Sequence, residues 1–359
     1  MKKKVLVGTR KGMLVLDKND DTWKITSDHF MGIPVNMVFE DPRNGTWWVA
    51  LDHGHWGNKL HYSTDQGKHW EEITAPQYPE GSMIKEDVSA NLRYIWAFSP
   101  TGNGSSDGLW IGTEPGGLFH LDGNNNATLV ESLWNHPSRP EGWFGGGRDY
   151  AGIHSVVVDP RDADHIYVGI SVAGVFESKD GGQSWQPKNK GLRADFLPDP
   201  HAEIGHDPHL LVCCPSDPDV LWQQNHCGIF RSGDGGNLWE DISDPGGEAN
   251  FGFAIAADPD NPLRAWVAPA ISDGMRVAVD KKLCICRTDD GGKSWKTFRK
   301  GLPQAYCYDI VFRHALISNG EDVLFGTTTG NLFSSPDAGE SWNVLSNYLP
   351  MIYCLAFAR

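Results

Sequence analysis

The sequence is short of basic residues and contains no long apolar segment. Its 359 residues include 31 Lys and Arg against 46 Asp and Glu, so the formal net charge is −15. Such an acidic chain does not present a uniformly attractive surface to nucleic acid or to an anionic membrane. No apolar run approaches the length needed to span a bilayer. We therefore expect neither a nucleic acid nor a membrane as a partner.

Cysteine is also scarce, and its positions form no recognisable framework. The chain has seven cysteines, an odd number, and two of them are the adjacent Cys213 and Cys214. Irregular spacing of this kind favours reduced thiols that act as small apolar side chains. The first residues read Met-Lys-Lys-Lys, but Gly8 and Arg10 interrupt the apolar run that a signal peptide needs. Both features lead us to expect a cytoplasmic protein.

A repeated pattern, Ser/Thr-x-Asp-x-Gly-x-x-Trp, dominates the sequence. It predicts a hairpin turn, because the hydroxyl and the carboxylate can accept backbone N–H groups while glycine permits a positive φ. The tryptophan that ends the pattern would then bury a large ring between neighbouring sheets. The five copies begin at Ser63, Ser178, Ser232, Thr288 and Ser335.

Two further segments resemble the strand pair that precedes each copy. They run from Leu109 to Asp122 and from Val5 to Asp17. Seven units with a period of roughly 50 residues are typical of a β-propeller rather than a solenoid. The repeat resembles the Asp-box, or BNR repeat, of Asp-box propellers.

We therefore predict an all-β, seven-bladed β-propeller of four-stranded antiparallel blades that forms one domain over residues 1–359. The C-terminal strand, residues 351–358, is expected to join the N-terminal blade and close the ring. In blade seven, residues 308–312 are expected to form the first strand. The predicted blades cover residues 1–30 with 350–359, 31–75, 90–135, 150–190, 207–243, 250–300 and 305–349.

Strand order predicts where a site should lie. If the strands of each blade are named A to D, the start of A and the end of B share one end of the blade, and the C–D turn with the repeat lies at the other. Long D–A connections also arrive at the A-start end, where loops on a rigid scaffold usually carry function. We therefore place a polar pocket at the A-start end of blades three to five.

The candidate catalytic residues are His154, which opens an A strand, Glu114, which ends a B strand, and Asp149 and Tyr150 on a D–A connection. Carboxylates and imidazoles at such positions can donate or accept protons. A tyrosine beside the axis of a propeller is, however, more often part of the wall than an acid, and this is the alternative for Tyr150.

The candidate substrate-binding residues are polar or aromatic side chains at the same end of the blades. An arginine can clamp an anionic group with two hydrogen bonds, although it could also fix its own loop by binding carbonyls. These candidates are Arg148, Arg93, Asn36, Asn225 and Trp143.

Four histidines could hold a divalent metal. His154, His209 and His226 occupy inner positions of blades four and five, and His206 lies on the connection between those blades. Neutral imidazoles together with a carboxylate suit Zn, Mn, Fe or Ni. The alternative is that these histidines are bonded to each other and to channel waters, as buried polar groups must be.

Three phrases resemble soluble bacterial proteins described as WD40/YVTN/BNR-like repeat or exo-sialidase-like proteins. They are the segments 133–140, 192–200 and 223–228. The resemblance implies a glycosyl hydrolase-like propeller that acts on a small molecule or a glycan. Sialidase activity itself is not expected, because residues 31–34 read Met-Gly-Ile-Pro where sialidases carry an Arg-Ile-Pro motif.

Our interpretation of the sequence is a hydrolase or lyase acting on a carbohydrate or other small anionic substrate, with or without assistance from a metal. A propeller that binds a ligand or assembles with a partner without catalysis is the alternative class, since fold alone does not decide function.

Overall fold

The computed structural model describes residues 4–20, 22–102 and 108–359. The prediction that residues 1–3 begin no signal peptide lies outside the described residues. The strands, in chain order, are β1 Lys4–Thr9, β2 Gly12–Asn19, β3 Thr22–His29, β4 Val35–Glu40, β5 Trp47–Asp52, β6 Asn58–Ser63, β7 Glu71–Ile73, β8 Met83–Lys85, β9 Val88–Ser89, β10 Tyr94–Pro100, β11 Leu109–Glu114, β12 Leu118–Leu121, β13 Ala127–Leu129, β14 Ile153–Asp159, β15 Asp162–Ile170, β16 Gly174–Ser178, β17 Gln186–Pro187, β18 Pro208–Cys214, β19 Asp217–Asn225, β20 Gly228–Ser232, β21 Glu240–Asp241, β22 Gly252–Ala257, β23 Ala265–Pro269, β24 Ile285–Thr288, β25 Lys296–Phe298, β26 Leu316–Ser318, β27 Val323–Gly326, β28 Leu332–Ser335, β29 Asn343–Ser346 and β30 Ile352–Ala358.

Helices are short and few in the described ranges. Two are α-helical, α1 Glu131–Trp134 and α2 Arg139–Gly142, and two are single 3₁₀ turns, Gly54–Trp56 and Val279–Lys281. None of the described helices is long and apolar enough to cross a bilayer.

The strands pair into seven four-stranded antiparallel sheets, so the predicted fold class, an all-β seven-bladed propeller, is confirmed. Six sheets take four consecutive strands, starting at β4, β10, β14, β18, β22 and β26. The seventh has the order β3-β2-β1-β30, in which the last strand of the chain pairs with the first. The predicted joining of the C-terminal strand to the N-terminal blade is therefore confirmed. A two-stranded β8-β9 hairpin stands apart from these sheets.

The chain divides into two compact units. Unit 1 comprises Met1–Val35, Gly191–Arg193 and His209–Arg359, and unit 2 comprises Asn36–Lys190 and Ala194–Pro208. Each unit has its own apolar core between sheets. In unit 1 the core includes Phe325 and Trp342, and in unit 2 it includes Phe176 and Trp185.

The first strand of blade seven is β26, Leu316–Ser318, and not residues 308–312 as predicted from the sequence. The earlier segment is held by side chains instead of a strand ladder. The Asp309 carboxylate accepts hydrogen bonds from the Thr329 hydroxyl and from Asn331 Nδ2, the latter at 2.7 Å. Tyr308 is also more than half exposed. The apolar character of Ile310 and Val311 therefore reflects packing of an irregular segment.

All five repeat copies form the same hydrogen-bonded turn. The amide of each repeat glycine lies 2.8–2.9 Å from the Ser or Thr hydroxyl oxygen. Each Asp carboxylate accepts a further backbone N–H four residues on, at 2.9–3.0 Å. The five glycines have φ between +77° and +90°, a region that other residues rarely adopt. The turns therefore satisfy their own backbone donors and connect the C and D strands.

We expect Ser178→Ala to destabilise the protein by about 1–3 kcal/mol, because it leaves the buried Gly182 N–H without its acceptor. Ser184→Ala is the matched control, because the Ser184 hydroxyl is exposed and donates to Asp180, the aspartate of the same repeat. This variant should change the free energy of unfolding by about 0.5 kcal/mol or less. Urea unfolding followed by tryptophan fluorescence compares the two. Equal changes in the free energy of unfolding for the two variants would show that the buried hydrogen bond of the turn contributes no more than the exposed one.

Candidate functional site

Strand register in unit 2 places Glu114 opposite Tyr94 at the A-start end of a blade. The two residues are paired between β10 and β11, and the Arg93 amide donates to the Glu114 carbonyl oxygen at 2.9 Å. The Glu114 side chain is only 3% exposed. A carboxylate buried to this degree needs a charged or hydrogen-bonded partner.

Arg148 is that partner. Its Nε donates to Glu114 Oε2, and its guanidinium lies 4.3 Å from the centre of the Tyr94 ring and 5.3 Å from that of Trp96. Cation–π contacts of this kind hold a guanidinium in one orientation. The sequence left open whether Arg148 binds a ligand or fixes its loop. In the structure, Arg148 forms an ion pair with Glu114, a carboxylate of the protein itself.

A second, more exposed pair lies beside the first in the sequence. Arg93 Nη1 is 2.9 Å from Asp149 Oδ2, and the Arg93 guanidinium lies 4.6 Å from the centre of the Tyr150 ring. The Asp149 side chain is 75% exposed, against 3% for Glu114. The structure therefore offers one buried and one solvated carboxylate, each with its own arginine and aromatic ring. We call this set the unit-2 cluster; its members are Arg93, Tyr94, Trp96, Glu114, Arg148, Asp149 and Tyr150.

The glycines before Arg148 serve the fold of their own loop. A Cβ at Gly145 would lie 2.4 Å from the Arg148 carbonyl oxygen and 2.5 Å from that of Asp149. A Cβ at Gly146 would lie 2.1 Å from a methyl carbon of Val172. The loop can therefore turn tightly enough to bring Arg148 onto Glu114 only where side chains are absent.

His154 lies behind the cluster rather than at its surface. It is fully buried, its ring packs edge-on against Trp96 at 5.7 Å, and its Nδ1 is 2.8 Å from Ser155 Oγ. In this position it contacts the ring that supports Arg148. Its predicted catalytic role stays a prediction, and the geometry shows it as a neighbour of the cluster.

Tyr78, which the sequence did not identify as a candidate, bonds the two residues on either side of Glu114. Its hydroxyl donates to the Pro115 carbonyl oxygen at 2.6 Å and lies 2.7 Å from Thr113 Oγ1. Burial raises the pKa of this phenol, so it remains a neutral donor. The bonds fix the backbone on both sides of Glu114. No pattern around Tyr78 signals this role, because its partners are 35 and 37 residues away in the sequence.

The other predicted substrate-binding residues are held within the protein. Asn36 Nδ2 donates to the Ile95 carbonyl oxygen at 3.0 Å in unit 2. Asn225, in unit 1, is buried, donates to Gln223 Oε1 and accepts the Cys227 amide, both at 3.0 Å. Trp143 is half-buried against Phe176 and donates to Ser138 Oγ at 3.1 Å. Their ligand-binding roles stay predictions.

Of the four candidate metal ligands, two lie in each unit. In unit 1, His209 Nδ1 is 2.6 Å from the Gly252 carbonyl oxygen, and the His226 ring meets the His209 ring edge-on at 5.7 Å. A proton on Nδ1 leaves the lone pair on His209 Nε2, the arrangement that metal-binding histidines commonly have. In unit 2, His206 Nε2 is 2.6 Å from the Ala202 carbonyl oxygen. The donor types fit a divalent metal, and the four-histidine set stays a prediction.

The sheets and the cluster define the class of the molecule, a seven-bladed β-propeller with a polar, aromatic site at the A-start end of its blades. No protein-family model matches the chain. Among curated proteins it is similar to the oligoxyloglucan-reducing end-specific xyloglucanase of Emericella nidulans, with 24% identity over 326 residues. The match covers 77% of this chain and 36% of the xyloglucanase, so the chain spans little more than a third of that relative.

Solved structures share the fold at low identity. An ancestral GH74 enzyme matches with a TM-score of 0.59 and 18% identity over 90% of this chain and 38% of its own. A protein of unknown function from Desulfotomaculum acetoxidans matches with a TM-score of 0.59 and 11% identity over 99% of both chains. YCF48 bound to D1 peptide matches with a TM-score of 0.52 and 16% identity over 87% of this chain and 82% of its own. These similarities support the propeller fold.

We expect Arg148→Met to destabilise the protein by about 3 kcal/mol at neutral pH, because it leaves the buried Glu114 carboxylate without its counter-charge. Adding Glu114→Gln to that variant should recover part of the loss. Arg93→Met is the matched control, since its partner Asp149 is largely solvated; it should cost about 1 kcal/mol or less. Denaturant unfolding of the three variants and the parent protein gives the comparison, and equal losses of stability for both arginine variants would contradict the assignment.

Proposed function

We propose that this chain is a carbohydrate-acting hydrolase whose glycan contacts the unit-2 cluster. The observation that carries the proposal is the pair of carboxylates, Glu114 and Asp149, held by arginines beside two tyrosine rings. Glycoside hydrolysis commonly uses two carboxyl groups that flank the scissile bond. The sequence similarity to a xyloglucanase supports the same class of substrate.

The two carboxylates differ in ways that suit different roles. Glu114 is buried and bonded to Arg148, a contact that stabilises the anion, so we assign it the role of base or nucleophile. Asp149 is 75% exposed and next to Tyr150 in the sequence, so a glycan that arrives from solvent can reach it, and we assign it the role of the second carboxyl group. The Tyr150 ring, already in contact with the Arg93 guanidinium, offers an apolar face to a sugar.

A propeller that binds a ligand without catalysis is the second candidate. The observation that favours it is that each carboxylate already forms an ion pair with an arginine of the protein. In that case the arginines and tyrosines bind a glycan and no bond is cleaved.

Hydrolysis assays with xyloglucan oligosaccharides, neutral β-glucans and uronates separate these candidates. We expect release of reducing sugar from a neutral glycan, and Glu114→Gln should reduce kcat by about 100-fold or more while KM changes little. Glu40→Gln is the matched control, because Glu40 is also a buried carboxylate but ends an A strand and bonds Trp47. Hydrolysis that survives Glu114→Gln would rule out this site, and binding without hydrolysis would favour the second candidate.

A divalent metal bound by histidines is the remaining part of the proposal. Such an ion could polarise a substrate oxygen or activate water, and in unit 1 the protein would offer His209 and His226. Elemental analysis of tag-free protein before and after chelation is expected to show Zn, Mn, Fe or Ni that is lost in His209→Ala. His120→Ala, which removes a half-buried histidine packed on Trp110, should keep the metal. A metal-free parent protein would contradict this part and leave the carboxylate mechanism in place.

A further inference from the structure

A pocket in unit 1 shares no residue with the unit-2 cluster. It has a volume of ≈ 590 Å³, within the range of about 300–1,000 Å³ typical of small-molecule sites. Its walls come from the segment around Arg193, the turn between β19 and β20, β21 with the residues after it, and the residues before β22. These are B–C and D–A connections, so the pocket opens at the A-start end of its blade.

One wall carries an arginine and an aspartate that form an ion pair. Arg193 Nη1 is 3.4 Å from Asp241 Oδ2, and Arg193 Nη2 donates to the Cys227 carbonyl oxygen at 3.2 Å. The two side chains are 43% and 34% exposed, so both charged groups can be reached by the hydroxyl groups of a ligand. The opposite charges also cancel, which favours an uncharged ligand over an anion.

The pocket also contains a fixed aromatic ring. Phe251 is half-buried and meets the His226 ring edge-on at 5.9 Å and the Phe253 ring edge-on at 5.4 Å. The orientation of the Phe251 ring is therefore fixed by neighbouring rings. A flat apolar face beside planar polar groups is the arrangement that accepts the C–H face of a sugar ring while hydrogen bonds hold its hydroxyls.

The polar wall is already ordered by backbone hydrogen bonds. The Ser243 amide donates to Asp241 Oδ1 at 3.0 Å, and Ser243 Oγ accepts the Ile229 amide at 2.9 Å. A Cβ at Gly228 would lie 2.5 Å from Ser243 Oγ, and the glycine has a φ of +144°. Asn250 Nδ2 donates to the Gly247 carbonyl oxygen at 2.9 Å. Groups fixed before binding lose less conformational entropy when a ligand arrives.

We propose that this pocket is a binding site for a neutral mono- or disaccharide. Arg193, Asp241 and Asn250 would bond its hydroxyls, and Phe251 would pack on its ring. The site requires no reaction at the unit-2 cluster, and it therefore does not depend on the hydrolase proposal. It would let the chain hold a glycan even if that glycan is not cleaved.

The test is saturation-transfer NMR and calorimetry with cellobiose and xylobiose as neutral probes and glucuronic acid as the anionic probe. We expect a neutral disaccharide to bind, with an affinity at least 10-fold weaker in Phe251→Ala and in Asp241→Asn. Phe312→Ala is the control for the first variant, because both phenylalanines pack on the same small cluster, which includes Phe253. Asp244→Asn is the control for the second, since Asp244 lies three residues after Asp241, on the connection that follows β21, and does not line the pocket.

The Glu114→Gln variant separates this site from the unit-2 cluster. Binding that persists in Glu114→Gln and is lost in Phe251→Ala supports the pocket, whether or not any glycan is hydrolysed. Binding lost in Glu114→Gln and kept in Phe251→Ala would place the sugar at the cluster and overturn the proposal. Binding of glucuronic acid alone, or of none of the three probes at millimolar concentration, would overturn it as well.

Discussion

The antiparallel pairing of the last strand with the first is the constraint on which the blade order depends. β30 pairs with β1 from Lys4 with Ala358 to Thr9 with Ile352, so β1 is an inner member of its sheet and has no open edge. Because a C-terminal strand fills the A position, β1 becomes the B strand of its blade. Every later blade then begins with its own A strand, and all seven sheets share one order of strands.

The same order explains why polar chemistry gathers at one end of each sheet. Where A begins, B ends, and the pairing of Tyr94 with Glu114 brings a ring and a carboxylate together there. The D–A connection reaches the same end and delivers Arg148, which the buried carboxylate requires. At the opposite end, each repeat turn satisfies its glycine amide with the Ser or Thr hydroxyl of the same turn.

Local patterns were sufficient to predict the repeat turns and the fold class, because each turn is completed within eight residues. The position of Glu114 followed from strand register alone. Its partner did not, since the Arg148 contact depends on how a loop with three glycines folds back over 34 residues. The prediction of the first strand of blade seven was wrong for a related reason. Asp309 is bonded to Thr329 and Asn331, and side-chain contacts of this kind leave no periodic pattern in the sequence. The Arg193 pocket was missed because its walls come from four separate segments.

The unit-2 cluster and the pocket of unit 1 each combine an arginine, a carboxylate and an aromatic ring, and burial distinguishes what they can do. The Glu114 carboxylate is 3% exposed and the Asp241 carboxylate 34% exposed. Electrostatic interactions strengthen where water is excluded, so a charge on Glu114 acts more strongly on a bound substrate than one on Asp241. Asp241, with water close by, can bond a hydroxyl but contributes little to stabilising a transition state. Burial therefore supports the unit-2 cluster as the place of the proposed chemistry and the pocket of unit 1 as the place of the proposed binding.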